Sequence, residues 1–288
     1  MKRNYGKVLR KLREEKGYSL RQVSKGILSA SFLSKFERGE SDISLSHFLR
    51  IIDRLNITLD EFSFAANGYQ LSELDQLRAD ITFAYQRNNQ ARLKNIQRKE
   101  YEKWETYELD TYLCNAIMAE AFLLNLQKKE IDKKKRQFVI QYLFNIEIWG
   151  NYELMLYANV LSVLPTDTVI ALSKEVVKKT SVYSFIPADF VQTVQLLLNT
   201  VIVCLDADLL NEALYFVLTI EGMNLEERFF YERTVLTFLK GILKIKNEEV
   251  EQGKKEAEKA VQMMYSIGSN DIAINHEEYL AAVIEAKK

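Results

Sequence analysis

The chain has little of what breaks helices. Of its 288 residues only 2 are proline and 10 glycine. Few positions can therefore turn sharply, which points to long helices with short connections. Cysteine is as scarce: Cys114 and Cys204 are the only two. Each sits in an apolar helical stretch, so there is no disulfide framework and a reducing compartment is implied. The two histidines, His47 and His276, lie far apart with no cysteine near either. No zinc spacing, phosphate-cradling glycine loop or nucleophile motif accompanies them, so an enzyme, a metal and a cofactor are not expected. The longest uncharged run, Phe190 to Leu205, holds 16 residues including two Gln and one Asn, which reads as too short and too polar to span a bilayer. The basic start, MKRNYGKVLRKLREEKG, lacks the apolar core of a signal peptide. The expectation is a cytoplasmic protein with no membrane partner.

What is present is unevenly charged. Net charge is −1, yet residues 1–66 carry 13 Lys+Arg against 8 Asp+Glu, and the remainder carries 26 against 32. A basic head on an acidic body suits a nucleic-acid-binding module joined to a different function. Within the head, YSLRQVSKGILSASFLSKFERGES (18–41) reads as two short helices around a turn. Ser19 and Gln22 form a capping box, Gly26 lets the chain leave helical geometry, and a second helix runs from Ala30 to Arg38 with Leu33 and Phe36 facing inward. Gly39 stops it. This is the pattern of a helix-turn-helix, whose second helix can enter the DNA major groove. A first helix, Asn4 to Lys16, a fourth capped by Ser44, and a fifth behind a Thr58–Glu61 capping box complete a domain over 1–67. The stretch AANGY (66–70) reads as a short linker.

The string LRKLREEKGYSLRQVSKG followed by SKFERGE closely resembles the Cro/repressor (XRE) class of DNA-binding domain, with Ser34, Glu37 and Gly39 matching its Ser-x-x-Glu-x-Gly signature. The resemblance implies a structural ion pair between Arg13 and Glu37. Ser29, Ser31, Phe32 and Lys35 then stand where base edges would be read, and Arg21, Lys25 and Arg38 where phosphates would be held. The opening of the recognition helix is small or apolar where phage repressors often carry Gln. That favours methyl and shape readout over bidentate amides.

From Leu71 to the end the pattern is helix after helix of about 12 to 20 residues. The breaks fall near Asn88–Asn89, Glu105–Thr106, Gln127–Glu130, Gly150–Asn151, Pro165–Thr166, Ile186–Pro187, Asp206–Asp208, Gly222–Met223, Lys246–Asn247 and Gly268–Ser269. Hairpins recurring about every 35 to 40 residues suggest a stacked array. The fold class expected is all-α: a five-helix N-terminal domain followed, over 71–288, by a right-handed solenoid of degenerate tetratricopeptide-like hairpins.

Three amides, Gln192, Gln195 and Asn199, fall within about 60° of one another on an otherwise apolar helix. Amides offer donor and acceptor together, which suits the backbone of an extended peptide. Asn159, alone in LMLYANVLSVL, is similar. The other reading of such an Asn is a buried amide satisfied by a neighbouring helix. Tyr231 and Arg233, in EERFFYERTVLTFLKG, could meet a peptide carboxylate or form an ordinary interhelical ion pair.

Over its full length the chain resembles the Rgg/GadR/MutR regulators of Gram-positive bacteria, carried by ILSASFLSKFERGESDISL, NYELMLYANVL and VQLLLNTVIVCL. The resemblance implies a homodimeric, quorum-sensing type of transcriptional regulator on operator DNA, with a short apolar signalling peptide bound by the helical body, Asn159 and Asn199 acting as backbone clamps, and RNA polymerase as a further candidate partner. Some relatives carry a cysteine in the DNA-binding domain, whereas this chain has none before Cys114.

Overall fold

The structure, a computed structural model, describes residues 4–180 and 187–287. Among them every regular element is helical: α1 Tyr5–Glu15, α2 Leu20–Ser24, α3 Ala30–Arg38, α4 Leu45–Arg54, α5 Leu59–Ala66, α6 Glu73–Gln86, α7 Gln90–Tyr107, α8 Asp110–Leu126, α9 Lys133–Asn145, α10 Asn151–Val160, a 3-10 turn Leu161–Val163, α11 Thr166–Lys179, α12 Pro187–Asp206, α13 Leu210–Gly222, α14 Phe230–Lys246, α15 Val250–Ser266 and α16 Asn270–Glu285. They divide into two units, Met1–Gln86 and Arg87–Lys288. That division falls one helix later than the AANGY stretch.

The first unit closes around Leu9, Leu33, Ile51, Ile52 and Leu55, all buried. Each of its first five helices starts on a side chain that accepts a backbone N–H: Asn4, Ser19, Ser29, Ser44 and Thr58. Such caps satisfy donors that a helix cannot satisfy itself. α1 crosses α3 at Gly6, where a Cβ would sit 1.9 Å from the Phe36 carbonyl oxygen. Only glycine permits that approach.

The second unit is a helical-hairpin array. α8, α10, α12, α14 and α16 form one layer, each packed on the next-but-one helix of the chain, and α7, α9, α11, α13 and α15 lie against it. α12 is central. Val194, Leu197, Leu198 and Val201 belong to the core that continues through α13, α14, α15 and α16. The helix is 20 residues long rather than 16, and its Asp189–Asp206 stretch has the length and hydropathy of a membrane span. It is instead packed among α10, α11, α13 and α14. α14 and α15 approach closely at a pair of glycines: a Cβ on Gly253 would meet the Gly241 carbonyl oxygen at 2.5 Å.

One connection differs from expectation. α7 runs through Glu105–Thr106, and the Thr106 hydroxyl donates to the Glu102 carbonyl at 2.7 Å within the helix. The break comes at Glu108, which takes a left-handed φ of 54°. The break at Ile186–Pro187 lies partly outside the described residues, since Ile186 is not among them. Cys114 and Cys204 are fully buried. Burial pushes the Cys204 thiol up to about 11, and the Cys114 thiol upward as well, so neither is poised to form a thiolate.

Candidate nucleic-acid interface and amide stripe

α3 is fixed from three sides. Leu33 and Phe36 anchor it in the core. Ser29 caps its start, its hydroxyl accepting from the Phe32 N–H at 3.1 Å. Gly39 ends it at φ 80°. Glu37, on the inner face, receives Arg13 bidentately: Nε donates to Oε1 and Nη2 to Oε2, both at 2.7 Å, with both side chains buried. The third guanidinium nitrogen, Nη1, donates to the Tyr18 carbonyl at 2.7 Å. One residue thus ties α1 to the recognition helix and to the start of the motif. Hydrogen bonding to Glu37 raises Arg13 further above its ordinary value.

The outward face of α3 presents Ser31, Phe32 and Lys35, all exposed. Phe32 is 38% exposed, a large apolar ring facing outward at the start of a recognition helix. Arg21 and Lys25 are exposed beside it. Ser29 spends its acceptor on the cap. Arg38 is engaged: Nε and Nη2 donate to Glu40 at 2.6 and 2.7 Å, and Nη1 to the Ser34 hydroxyl at 2.5 Å. That pairing holds the Glu40 carboxyl below its ordinary range. A phosphate would have to compete with Glu40 for Arg38.

Sequence reading missed two residues that shape this face. Arg50 donates to the Gly26 carbonyl at 2.9 Å, and Arg54 to the Val23 and Lys25 carbonyls at 2.9 and 2.5 Å. Both cations sit on α4 and close the C-terminal carbonyls of α2 and the turn, where positive charge is favoured. Their spacing of four residues was the available signal.

In the second unit, Gln195 and Asn199 are exposed and Gln192 half-buried on one face of α12. On the neighbouring α10, half-buried Asn159 donates to the Met155 carbonyl of its own helix at 2.7 Å. The floor beneath is a buried hydroxyl chain. The Tyr157 hydroxyl donates to the Val169 carbonyl at 2.8 Å and lies 2.8 Å from the Ser173 hydroxyl, which lies 2.6 Å from that of Thr200. This joins α10, α11 and α12 through buried groups whose hydroxyls are satisfied by one another and by the Val169 and Leu196 carbonyls.

Arg233 is not brought to the amides. It shares a stripe of α14 with Thr237, Lys240 and Lys244, and those lysines pair with Glu221 of α13 and Glu256 of α15. The stripe therefore turns toward α13 and α15. The residue that meets α12 is its neighbour, Glu232, about 100° away around the helix. Gln195 donates to Glu232 Oε1 at 2.9 Å, and Glu232 is only 5% exposed. Tyr231, 46% exposed, is at the first turn of the same helix.

Residues 90–278 match the family described as HTH-type transcriptional regulator Rgg, C-terminal domain, and residues 9–62 match the helix-turn-helix family. Among solved structures, the SHP pheromone receptor Rgg2 of Streptococcus dysgalactiae is 28% identical at a TM-score of 0.83, covering 96% of this chain and 99% of that one. A protein from Listeria monocytogenes EGD-e, 20% identical, superposes at 0.86 over 100% of this chain and 99% of its own. The PrgX/iCF10 complex, 17% identical, superposes at 0.77 over 99% of this chain and 90% of that one. The last two are likenesses of fold. With two thirds of its length matched to one family and a helix-turn-helix ahead of it, the chain belongs to the Rgg helix-turn-helix transcriptional regulators, which are not enzymes.

Proposed function

We propose that the chain is a cytoplasmic receptor for a short signalling peptide and controls transcription by binding operator DNA as a homodimer. Residues 1–67 would contact an inverted repeat, and residues 71–288 would hold the peptide and the dimer contact. The observation that carries this reading is the exposed α12 amide face in a chain 28% identical, over almost its whole length, to a pheromone receptor. Gln192, Gln195 and Asn199, with Asn159 beside them, are the groups assigned to the peptide backbone. Tyr231 flanks the site, and Arg233 lies on another face. Ser31, Phe32 and Lys35 read bases, with Ser29 holding the helix start; Arg21 and Lys25 hold phosphates, and Arg38 does so only by leaving Glu40. Contact with RNA polymerase is the second route by which a bound peptide would change output.

The test is fluorescence anisotropy of the full chain on its own promoter region across a salt series, with promoter output measured alongside. Arg21→Ala and Lys25→Ala should each weaken binding on all sequences and lower the salt slope by about 1. Phe32→Ala should instead relax sequence preference. Peptides selected on the chain should change occupancy or output, and Asn199→Ala should abolish the response. DNA affinity indifferent to salt, or occupancy and output indifferent to every bound peptide, would overturn the reading.

A further inference from the structure

The sign of charge beside the amide stripe is opposite to the one that Arg233 suggested. The group that touches the stripe is the Glu232 carboxylate, 5% exposed. Its single hydrogen bond among the described residues comes from the Gln195 amide at 2.9 Å, to Oε1. No lysine or arginine pairs with it among those residues. Burying an ionised carboxylate without a cation costs several kcal/mol on a rough scale. Its place in the first turn of α14 and the one amide donor offset only part of that.

The surroundings deepen the asymmetry. α8, α10, α12 and α16 contain no lysine or arginine at all. The cations of α14 other than Arg233 are each engaged elsewhere: Lys240 by Glu221, Lys244 by Glu256 and Lys246 by Asp208. Two carboxylates of the same layer that lie away from the stripe are occupied. Glu120 takes Lys135, and Asp206 accepts from the Tyr279 hydroxyl. Near Glu232, rings of Phe190 and Phe229 meet at 5.3 Å and set the starts of α12 and α14 side by side. This brings α12's first-turn Asp189, 6% exposed, to the same end of the layer. The layer thus offers a ligand amides, apolar surface and negative charge, and, apart from Arg233 on another face of α14, no unpaired lysine or arginine among the described residues.

We infer that the ligand of this face carries a cationic group, an α-ammonium or a Lys/Arg side chain, that ion-pairs with Glu232 while Gln192, Gln195 and Asn199 hold its backbone. This rests on the peptide-receptor reading and adds the sign of the ligand's charge. Among the described residues Glu232 Oε2 makes no hydrogen bond and is the atom assigned to the cation; Gln195 keeps Oε1 in place.

The experiment uses the full chain and a pooled library of synthetic octapeptides, half with free and half with acetylated amino termini. Peptides retained by wild type and by Glu232→Gln are sequenced by mass spectrometry, and affinities of the enriched ones are measured from low to high salt. Glu232→Gln keeps an acceptor for Gln195, and its thermal midpoint is checked against wild type. Expected is enrichment of cationic peptides on wild type, with affinity falling as salt rises, and about a tenfold loss of affinity and a flattened salt dependence in Glu232→Gln. Acetylation, or replacing Lys by norleucine, then tells the α-ammonium from a side chain, since only the true source weakens binding. Enrichment of neutral or acidic peptides, unchanged by Glu232→Gln, would overturn this inference and leave the receptor reading standing. Absence of any enrichment would overturn both.

Discussion

The two units are stabilised in different ways, and the difference decides what a single substitution does. In the first unit, α1 to α5 all begin on a side-chain cap, two of them full capping boxes, and its interior holds a buried ion pair. In the second, α8, α11, α13, α14, α15 and α16 begin with no side-chain cap bond. Those helices are ordered by burial instead. A small domain with short helices needs local instructions, because short helices are marginal alone. A large array with long buried faces can dispense with them.

The contrast is tested most severely at Arg13 and Glu37. Glu37→Ala leaves a buried guanidinium without its carboxylate and should cost about 3–5 kcal/mol. Hydrogen exchange should show α1 to α5 losing protection while α12 and α14 keep theirs. Replacing both partners by leucine should recover most of the loss. Equal loss of protection in both units would break the comparison.

The counterpart in the second unit is the glycine crossing. Gly253→Ala forces a methyl against the Gly241 carbonyl and Ile245. Overpacking of about 1–3 kcal/mol, less about 1 kcal/mol of helix propensity, leaves a modest net loss. A lowered thermal midpoint with unchanged DNA affinity would place the damage in the array.

Caps should separate the units more gently. Ser19→Ala should cost about 1 kcal/mol. Ser269→Ala, at a helix start where the side chain makes no cap bond, should stay within about 0.5 kcal/mol. Chemical denaturation of each variant measures both.

The smallest effect is one of pH. The Thr58 N–H and hydroxyl, by bonding Glu61, hold its carboxyl below the ordinary value. A depressed folded pKa means the stabilisation is present above the unfolded value, about 4.3, and is lost as pH falls through the folded one. Wild type should lose more stability than Glu61→Gln over that acidic window, and parallel acid titrations of the two would deny the cap its charge.

The same contrast explains what the sequence could tell. Ser19 with Gln22, and Thr58 with Glu61, announce helix starts locally, so the order and ends of the first five helices were legible. In the array, periodicity gave the helices and the amide spacing on α12. It could not say which side of α14 faces α12. Arg233 and Glu232 are adjacent in sequence and point about 100° apart, and only packing tells which meets Gln195. Arg50 and Arg54 were missed for a related reason. A surface-looking cation reveals its role only when the carbonyls of another helix are in view.

The hydroxyl chain beneath the stripe leads to a matter of counting protons. Tyr157, Ser173 and Thr200 bring three hydroxyl hydrogens to four oxygen–oxygen contacts: 2.8 Å to Val169, 2.8 Å between Tyr157 and Ser173, 2.6 Å between Ser173 and Thr200, and 3.0 Å from Thr200 to the Leu196 carbonyl. One contact has to go without. Tyr157 and Thr200 donate outward, to the Val169 and Leu196 carbonyls, so the contact that goes without is one of the two at Ser173. Its single hydrogen points either to Tyr157 or to Thr200. That choice has two settings, one tying α11 to α10 and the other tying α11 to α12.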